Sequence, residues 1–217
     1  MGAEQAWLLA AVPAGFFLLL ALFGRSLPRG GDYFGVLSIL SAFVLFFVVL
    51  VDFLDTPGKL GPVVNDIQWS DIGDFHLRMG IYVDPITVTM FGVITTVALM
   101  VNVFSIGYMK GEPRYYWFFA VLQLFVASML MLVMADNLLL VYISWELVGV
   151  CSFLLIGFYW EKRSATEAAK KAFITTRVGD VGLLIGIILL FKATGTFNIQ
   201  EIIHMAEEGD IGQTYLF

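Results

Sequence analysis

Two stretches decide how this chain is read: VYISWELVGVCSFLLIGFYW (141–160) and AFITTRVGDVGLLIGIILLF (172–191). Each is about as long as a helix needs to cross a hydrocarbon core, roughly 20 apolar residues. Each also carries ionised side chains in its interior: Glu146 in the first, Arg177 and Asp180 in the second. A charge near the bilayer centre costs at least a few kcal/mol unless it is paired or hydrated, so such residues mark proton or ion pathways more often than not.

The remainder of the chain has the same character. Of 217 residues, 59% are hydrophobic and 14% are charged, and the mean hydropathy is +0.88. A soluble domain is nearer half apolar and a quarter charged. The 20 phenylalanines suit lipid-facing surface, and the formal charge is −6. Cys151 is the single cysteine and lies in an apolar run, which excludes an intramolecular disulfide. His76 and His204 are far apart in sequence, and no Cys/His metal cluster, Gly-rich phosphate loop, haem-type His pair or nucleophile elbow is visible. A redox enzyme in its own right is therefore not expected, and no cofactor or metal is assigned to this chain.

Six runs are long enough to span: 6–24, 33–51, 86–108, 116–135, 138–160 and 172–192. The first has no basic residue before it and reads as a retained helix rather than a signal peptide. Arg25 and Arg29, Lys110 and Arg114, and Lys162, Arg163, Lys170 and Lys171 fall between alternate spans, all on one side. The other side holds Lys59, Arg78 and Lys192. The positive-inside rule places the N-terminus outside, or periplasmic, and the basic loops in the cytoplasm of a cell inner (plasma) membrane.

The longest loop, 52–85, is acidic, and its β-prone pieces around 63–69 and 75–83 flank a turn-rich SDIGD, which predicts an external β-hairpin. His76 reads there as an exposed or packing residue. Asp84-Pro85 has the form of an N-cap followed by a first-turn proline. After the sixth span, FNIQEIIHMAEEGD (197–210) has the pattern of a short amphipathic helix on the outer surface. Thr214 to Phe217 read as the first turn of a seventh span.

Glu146 lies about eight residues into its span, or roughly 12 Å from the outer edge, and Asp180 is about as deep from the opposite side. Adjacent antiparallel helices can thus bring them to one level. Arg177 and Asp180 stand at i and i+3, so they share a face and can pair. That pair reads either as an internal clamp or as part of a relay. Thr176 can add a hydroxyl beside Asp180, and Gly179, Gly182 and Gly186 allow another helix to approach closely. Glu146 has no basic residue at ±3 or ±4 and needs a proton, water or a partner on another helix. A cation about 4 Å from a carboxylate interacts with it by roughly 4 kcal/mol at an effective dielectric near 20. Moving one cation can therefore load or release a proton, and Glu146 is read as a proton-relay acid. Asn102, Gln123 and Ser128 are expected to bond between helices, Tyr142 and Trp145 to pack, and Asp136-Asn137 to form a tight external turn. Lys170 and Lys171 read as interfacial anchors.

LVMADNLLLVYISWELVGVCSFLLIGFYW (132–160), followed by AAKKAFITTRVGDVGLL (168–184), closely resembles the largest antiporter-like membrane subunit of respiratory complex I, NADH–quinone oxidoreductase (subunit L, or subunit 5 in mitochondria). VDPITVTMF (83–91) and SIGYMKGEPRYYWFF (105–119) fit the same family. The joint occurrence of WELVG, LLIGFYW and TRVGD is more specific than any one of them. The resemblance spans about residues 60–205.

It implies an all-α integral membrane fold, the N-terminal part of an antiporter-like helical bundle. Residues 1–109 would carry the first three helices with the external loop 52–85. Residues 110–217 would carry the fourth to sixth helices and the start of a seventh, the first part of the translocating repeat. The function implied is proton translocation coupled to electron transfer from NADH to quinone, with Glu146, Asp180 and Arg177 as the relay. Flavin, iron–sulfur clusters and quinone would belong to partner subunits of the membrane and peripheral arms. In the family, the glutamate matching Glu146 pairs with a lysine on the seventh helix, and two inverted five-helix repeats form the path. This chain then reads as an N-terminal fragment, expected not to move protons alone. The alternatives are the large subunit of a multisubunit Na+/H+ antiporter, a membrane-bound hydrogenase subunit, or a non-catalytic membrane scaffold.

Overall fold

Apolar sequence surrounded by hydrocarbon must satisfy its backbone internally, which leaves helices as the spanning element. The computed structural model describes residues 5–55, 67–72 and 75–209. Its helices are α1 (Trp7–Phe23), α2 (Asp32–Asp55), α3 (Pro85–Tyr108), α4 (Tyr115–Val133), α5 (Leu138–Ile156), α6 (Arg163–Thr194) and α7 (Ile199–Glu208). Short 3₁₀ turns at Pro28–Gly31 and Gly157–Tyr159 precede α2 and extend α5. Ahead of α3, β1 (Ile67–Ile72) and β2 (Phe75–Met79) pair antiparallel, with an irregularity between Gln68 and Ser70. Residues 56–66 of the long loop and the expected seventh-span start at Thr214–Phe217 lie outside the described residues.

Helices α2 to α6 are long and apolar enough to cross a membrane, whereas α1 is a shorter apolar helix of 17 residues. At 1.5 Å per residue α1 is about 26 Å long, a little less than a hydrocarbon core of about 30 Å. Six spans were expected; among the described residues there are five of full length and this shorter one.

The sixth span differs in the opposite sense. It was expected over 172–192 behind a basic loop, but α6 starts at Arg163 and runs for 32 residues. At about 48 Å it outreaches the hydrocarbon core by several turns. The extra turns are SATEAAKKA (164–172), rich in strong helix formers, with Lys170 3.6 Å from Glu167 one turn earlier. Lys170 and Lys171 thus stand on the helix itself rather than in a loop.

Helix α4 is the most buried of the spanning helices and α6 the least. Contacts run from α3 to α2, α2 to α1, α1 to α4, α4 to α5 and α5 to α6. One apolar core gathers Leu9, Ile39, Phe91, Val126 and Leu130 from α1 to α4. Gln123, fully buried, holds three helices together: its Nε2 donates to the Asn102 side-chain oxygen at 3.0 Å and to the Gly35 carbonyl at 3.2 Å. Gly35 permits that approach, since a Cβ there would stand 2.9 Å from Phe119. Ser128 meets Cys151 of α5 by a side-chain hydrogen bond, as expected between helices, while its hydroxyl donates to the Leu124 carbonyl on its own helix. Asn102 likewise returns a donor to Ala98. In an apolar surrounding the preceding turn is the nearest acceptor.

The loops at one end of the bundle are joined by backbone. Tyr82 N–H donates to the Met134 carbonyl, Leu138 N–H to Phe197 and Ile199 N–H to Asp136. Asp136 lies in the tight turn predicted between α4 and α5; it is buried, and its carboxylate accepts from the Gly80 N–H at 3.0 Å and the Asn137 amide at 2.8 Å. Asn137 caps α5 by accepting from the Leu140 N–H at 2.7 Å. Asp84 caps α3 as predicted, accepting from Thr87 N–H, and Asn198 caps α7. At the opposite end Arg114 donates to the Phe158 carbonyl at 2.7 Å and to Glu161 at 2.9 Å. The two ends together fix how α4, α5 and α6 lie against one another.

Candidate functional site

Helix α5 supplies Trp145 and Glu146, and α6 supplies Phe173, Arg177 and Asp180. The two helices pack side by side. Glu146 and Asp180 do reach the same level, because both meet the guanidinium of Arg177. Arg177 pairs with Glu146 across the helix boundary and lies 3.4 Å from Asp180 on its own helix. Glu146 therefore has a basic partner within this chain, where its own helix offered none. An arginine fork can engage two carboxylates at once because its donors are fixed in one plane.

The pocket around these charges is graded. The Asp180 side chain is 8% exposed, against 23% for Glu146 and 27% for Arg177. The second Asp180 oxygen accepts a 2.8 Å hydrogen bond from the indole N–H of Trp145. Both oxygens of the most buried acid are thus engaged, one by each helix. The Arg177 guanidinium lies over the Phe173 ring, 4.4 Å from its centre, and Phe173 packs on Phe153 of α5. Cation–π contact of this kind stabilises a charge that has lost part of its hydration.

Trp145 was expected to pack, and its role as a donor was missed. Its place beside Glu146 in a span containing a buried acid was the available signal. Thr176 was expected to serve Asp180, but it donates to the Ala172 and Phe173 carbonyls instead. No helix among the described residues covers Gly179, Gly182 or Gly186; a Cβ at each would meet nothing within 4 Å. Val178 and Val181 on the same helix are 73% and 57% exposed.

The cluster holds two carboxylates and one guanidinium. Its formal charge is −1 when both acids are ionised, and one added proton makes it neutral. In low dielectric an uncompensated charge is the costly state. Among the described residues, no group of three His, Cys, Asp or Glu side chains is placed to hold a metal ion.

Comparison with known proteins follows this geometry. Residues 135–217, which contain the whole cluster, match the family described as NADH:quinone oxidoreductase/Mrp antiporter, TM. Residues 69–119 match that described as NADH-Ubiquinone oxidoreductase (complex I), chain 5 N-terminus. The chain is 50% identical over 141 residues to NADH-quinone oxidoreductase subunit L of Pseudomonas aeruginosa, covering 65% of this chain and 23% of that protein. It is 40% identical over 199 residues to F(420)H(2) dehydrogenase subunit L of Methanosarcina mazei, covering 90% of this chain and 29% of that one. Over 199 residues it is 38% identical to NADH-quinone oxidoreductase subunit L of Mycobacterium tuberculosis, with 91% and 31% covered. The chain thus spans less than a third of these curated relatives. In fold it is similar to a chain of an archaeal membrane-bound sulfane sulfur reductase (TM-score 0.83, 18% identity, covering 99% of this chain and 42% of that one). It is also similar to one of the Mrp complex from Dietzia (TM-score 0.73, 23% identity, covering 91% and 20%).

Proposed function

Because the chain belongs to the family of antiporter-like membrane subunits of NADH:quinone oxidoreductase, we propose that it serves in the membrane arm of such a complex, where proton translocation is coupled to electron transfer from NADH to quinone. Glu146, Arg177 and Asp180 are the proton-handling residues of this chain. The observation that carries the reading is the shared guanidinium: Arg177 pairs with Glu146 and with Asp180. Shifting one cation toward either acid changes which of them keeps a proton. The redox groups, flavin, iron–sulfur clusters and quinone, lie in partner subunits. The N-terminus faces outward from the plasma membrane, and residues 110–217 contribute the opening part of the translocating repeat after the three helices of 1–109.

Glu146→Gln in the assembled complex tests this. The complex is expected to assemble and oxidise NADH, while proton uptake into proteoliposomes per NADH falls severalfold. Unchanged pumping would leave Glu146 with a scaffold role. The Mrp antiporter named in the matching family description supports a runner-up, Na+/H+ exchange. Uptake that requires Na+ would favour it. The Methanosarcina relative carries the name of a different dehydrogenase, so the electron donor is best assigned by offering NADH and a reduced deazaflavin in parallel.

A further inference from the structure

At the basic end of the bundle a cleft of about 790 Å³ opens between the α1–α2 turn and the α3–α4 turn. Arg25 and Arg29 reach it from the first turn, Lys110 and Arg114 from the second. Its one lining carboxylate, Asp32, is 2% exposed and already engaged. Tyr115 donates its hydroxyl to Asp32 at 3.1 Å, the Tyr33 N–H donates at 2.8 Å, and Arg29 lies 3.7 Å away. Arg114 is engaged with Glu161 and the Phe158 carbonyl. Arg25 and Lys110 make no ion pair among the described residues. The cleft therefore carries two uncompensated cations.

A second feature favours the same kind of ligand. Helix α4 begins at this cleft with Tyr115 and Tyr116 on its wall, and Arg114 at its N-cap makes no side-chain cap. The positive end of the helix dipole favours an anion there. The turns stay open because they are built on glycine: Gly30 and Gly111 line the cleft at φ +67° and +94°, a backbone region that side-chain-bearing residues rarely adopt.

We infer that this cleft binds the phosphate of an anionic membrane phospholipid. The chemistry recognised is a phosphate ester. A lipid rather than free phosphate is the source, because the cleft stands where α1 and α3 end and α2 and α4 begin, at the level of lipid headgroups. Tyr33 and Tyr108, both largely exposed, lie next to it in sequence, in keeping with the aromatic belts of membrane interfaces. Basic pockets between spanning helices hold phospholipid headgroups by this means, each cation adding about fivefold in affinity.

The test is native mass spectrometry of the full chain in detergent, titrated with phosphatidylglycerol or phosphatidylcholine, and separately with inorganic phosphate. One equivalent of phosphatidylglycerol is expected to bind in preference to phosphatidylcholine. Arg25→Gln/Lys110→Gln should weaken it roughly thirtyfold, about fivefold for each cation. Both side chains are exposed and unpaired, so the fold is retained; Lys171→Gln is the control and should bind as the parent does. Equal binding of the two lipids, or phosphatidylglycerol binding unchanged in the double variant, would overturn the site. Protection by inorganic phosphate without lipid preference would overturn the lipid assignment in favour of a soluble anion.

Discussion

Trp145 of α5 and Asp180 of α6 are joined by a 2.8 Å hydrogen bond from indole N–H to carboxylate. The bond takes the oxygen that Arg177 does not, so Asp180 is held between two helices. Trp145→Phe keeps the ring and removes only the donor. Hydrogen bonds to charged groups contribute about 1.5–3 kcal/mol. The expected result is a loss of that order in a denaturant titration in detergent. In Asp180→Asn the same Trp145 change should cost markedly less, and a double-mutant cycle with no coupling would refute the pairing.

Arg177 compensates two acids, so its loss leaves both uncovered. Arg177→Gln is expected to destabilise the chain more than Glu146→Gln or Asp180→Asn does. Breaking a buried pair by removing one partner costs about 3–5 kcal/mol, and the partial exposure of Glu146 sets this case toward the lower end. Arg177→Gln/Glu146→Gln should recover part of the loss. Melting temperatures of the four variants in one detergent decide the order.

The Gln123 tie between α2, α3 and α4 depends on the absence of a side chain at Gly35. Gly35→Ala would set a methyl 2.9 Å from the Phe119 ring and 3.3 Å from Gln123 Nε2. Overpacking of this kind costs about 1–3 kcal/mol. A matching fall in stability is expected, and Gly107→Ala, where a Cβ meets nothing, should show no steric penalty.

Glu161 lies in the connection after α5 and gives a pH signature. A hydrogen bond with its own backbone, and then Arg114, hold its carboxyl below the ordinary 4.5. A carboxyl whose value is lowered on folding stabilises the fold above its unfolded value, and that contribution disappears as pH falls through the folded value. Thermal melts of the parent and Glu161→Gln should differ at pH 6 and draw together as pH falls below 4.5. A constant offset down to pH 3 would show that ionisation of Glu161 plays no part. The group is exposed, so the effect is small.

Hydropathy made the spans legible because lipid demands long apolar runs, and it made the three charges legible because they interrupt such runs. It could not see the first turns of α6, since Arg163 to Lys171 are polar; helix propensity in SATEAAKKA carried that information. Nor could it choose the Arg177 partner. The i to i+3 spacing exposes the Asp180 pair, whereas the Glu146 pair depends on the register of α5 against α6, which packing sets. The Asp136–Asn137 turn was legible but its burial was not, because its partners, Gly80, Phe197 and Ile199, are distant in sequence.

That junction has a mechanical consequence. The lower rim of α6 is tethered through Phe197 and Ile199 to Leu138 and Asp136 beside α5, and its upper rim follows a connection gripped by Arg114. A rod pinned at both rims has no freedom to piston along its axis. Any stroke that changes which acid Arg177 serves must then be a swing of the guanidinium or a roll of the rod, with α5 acting as the stator.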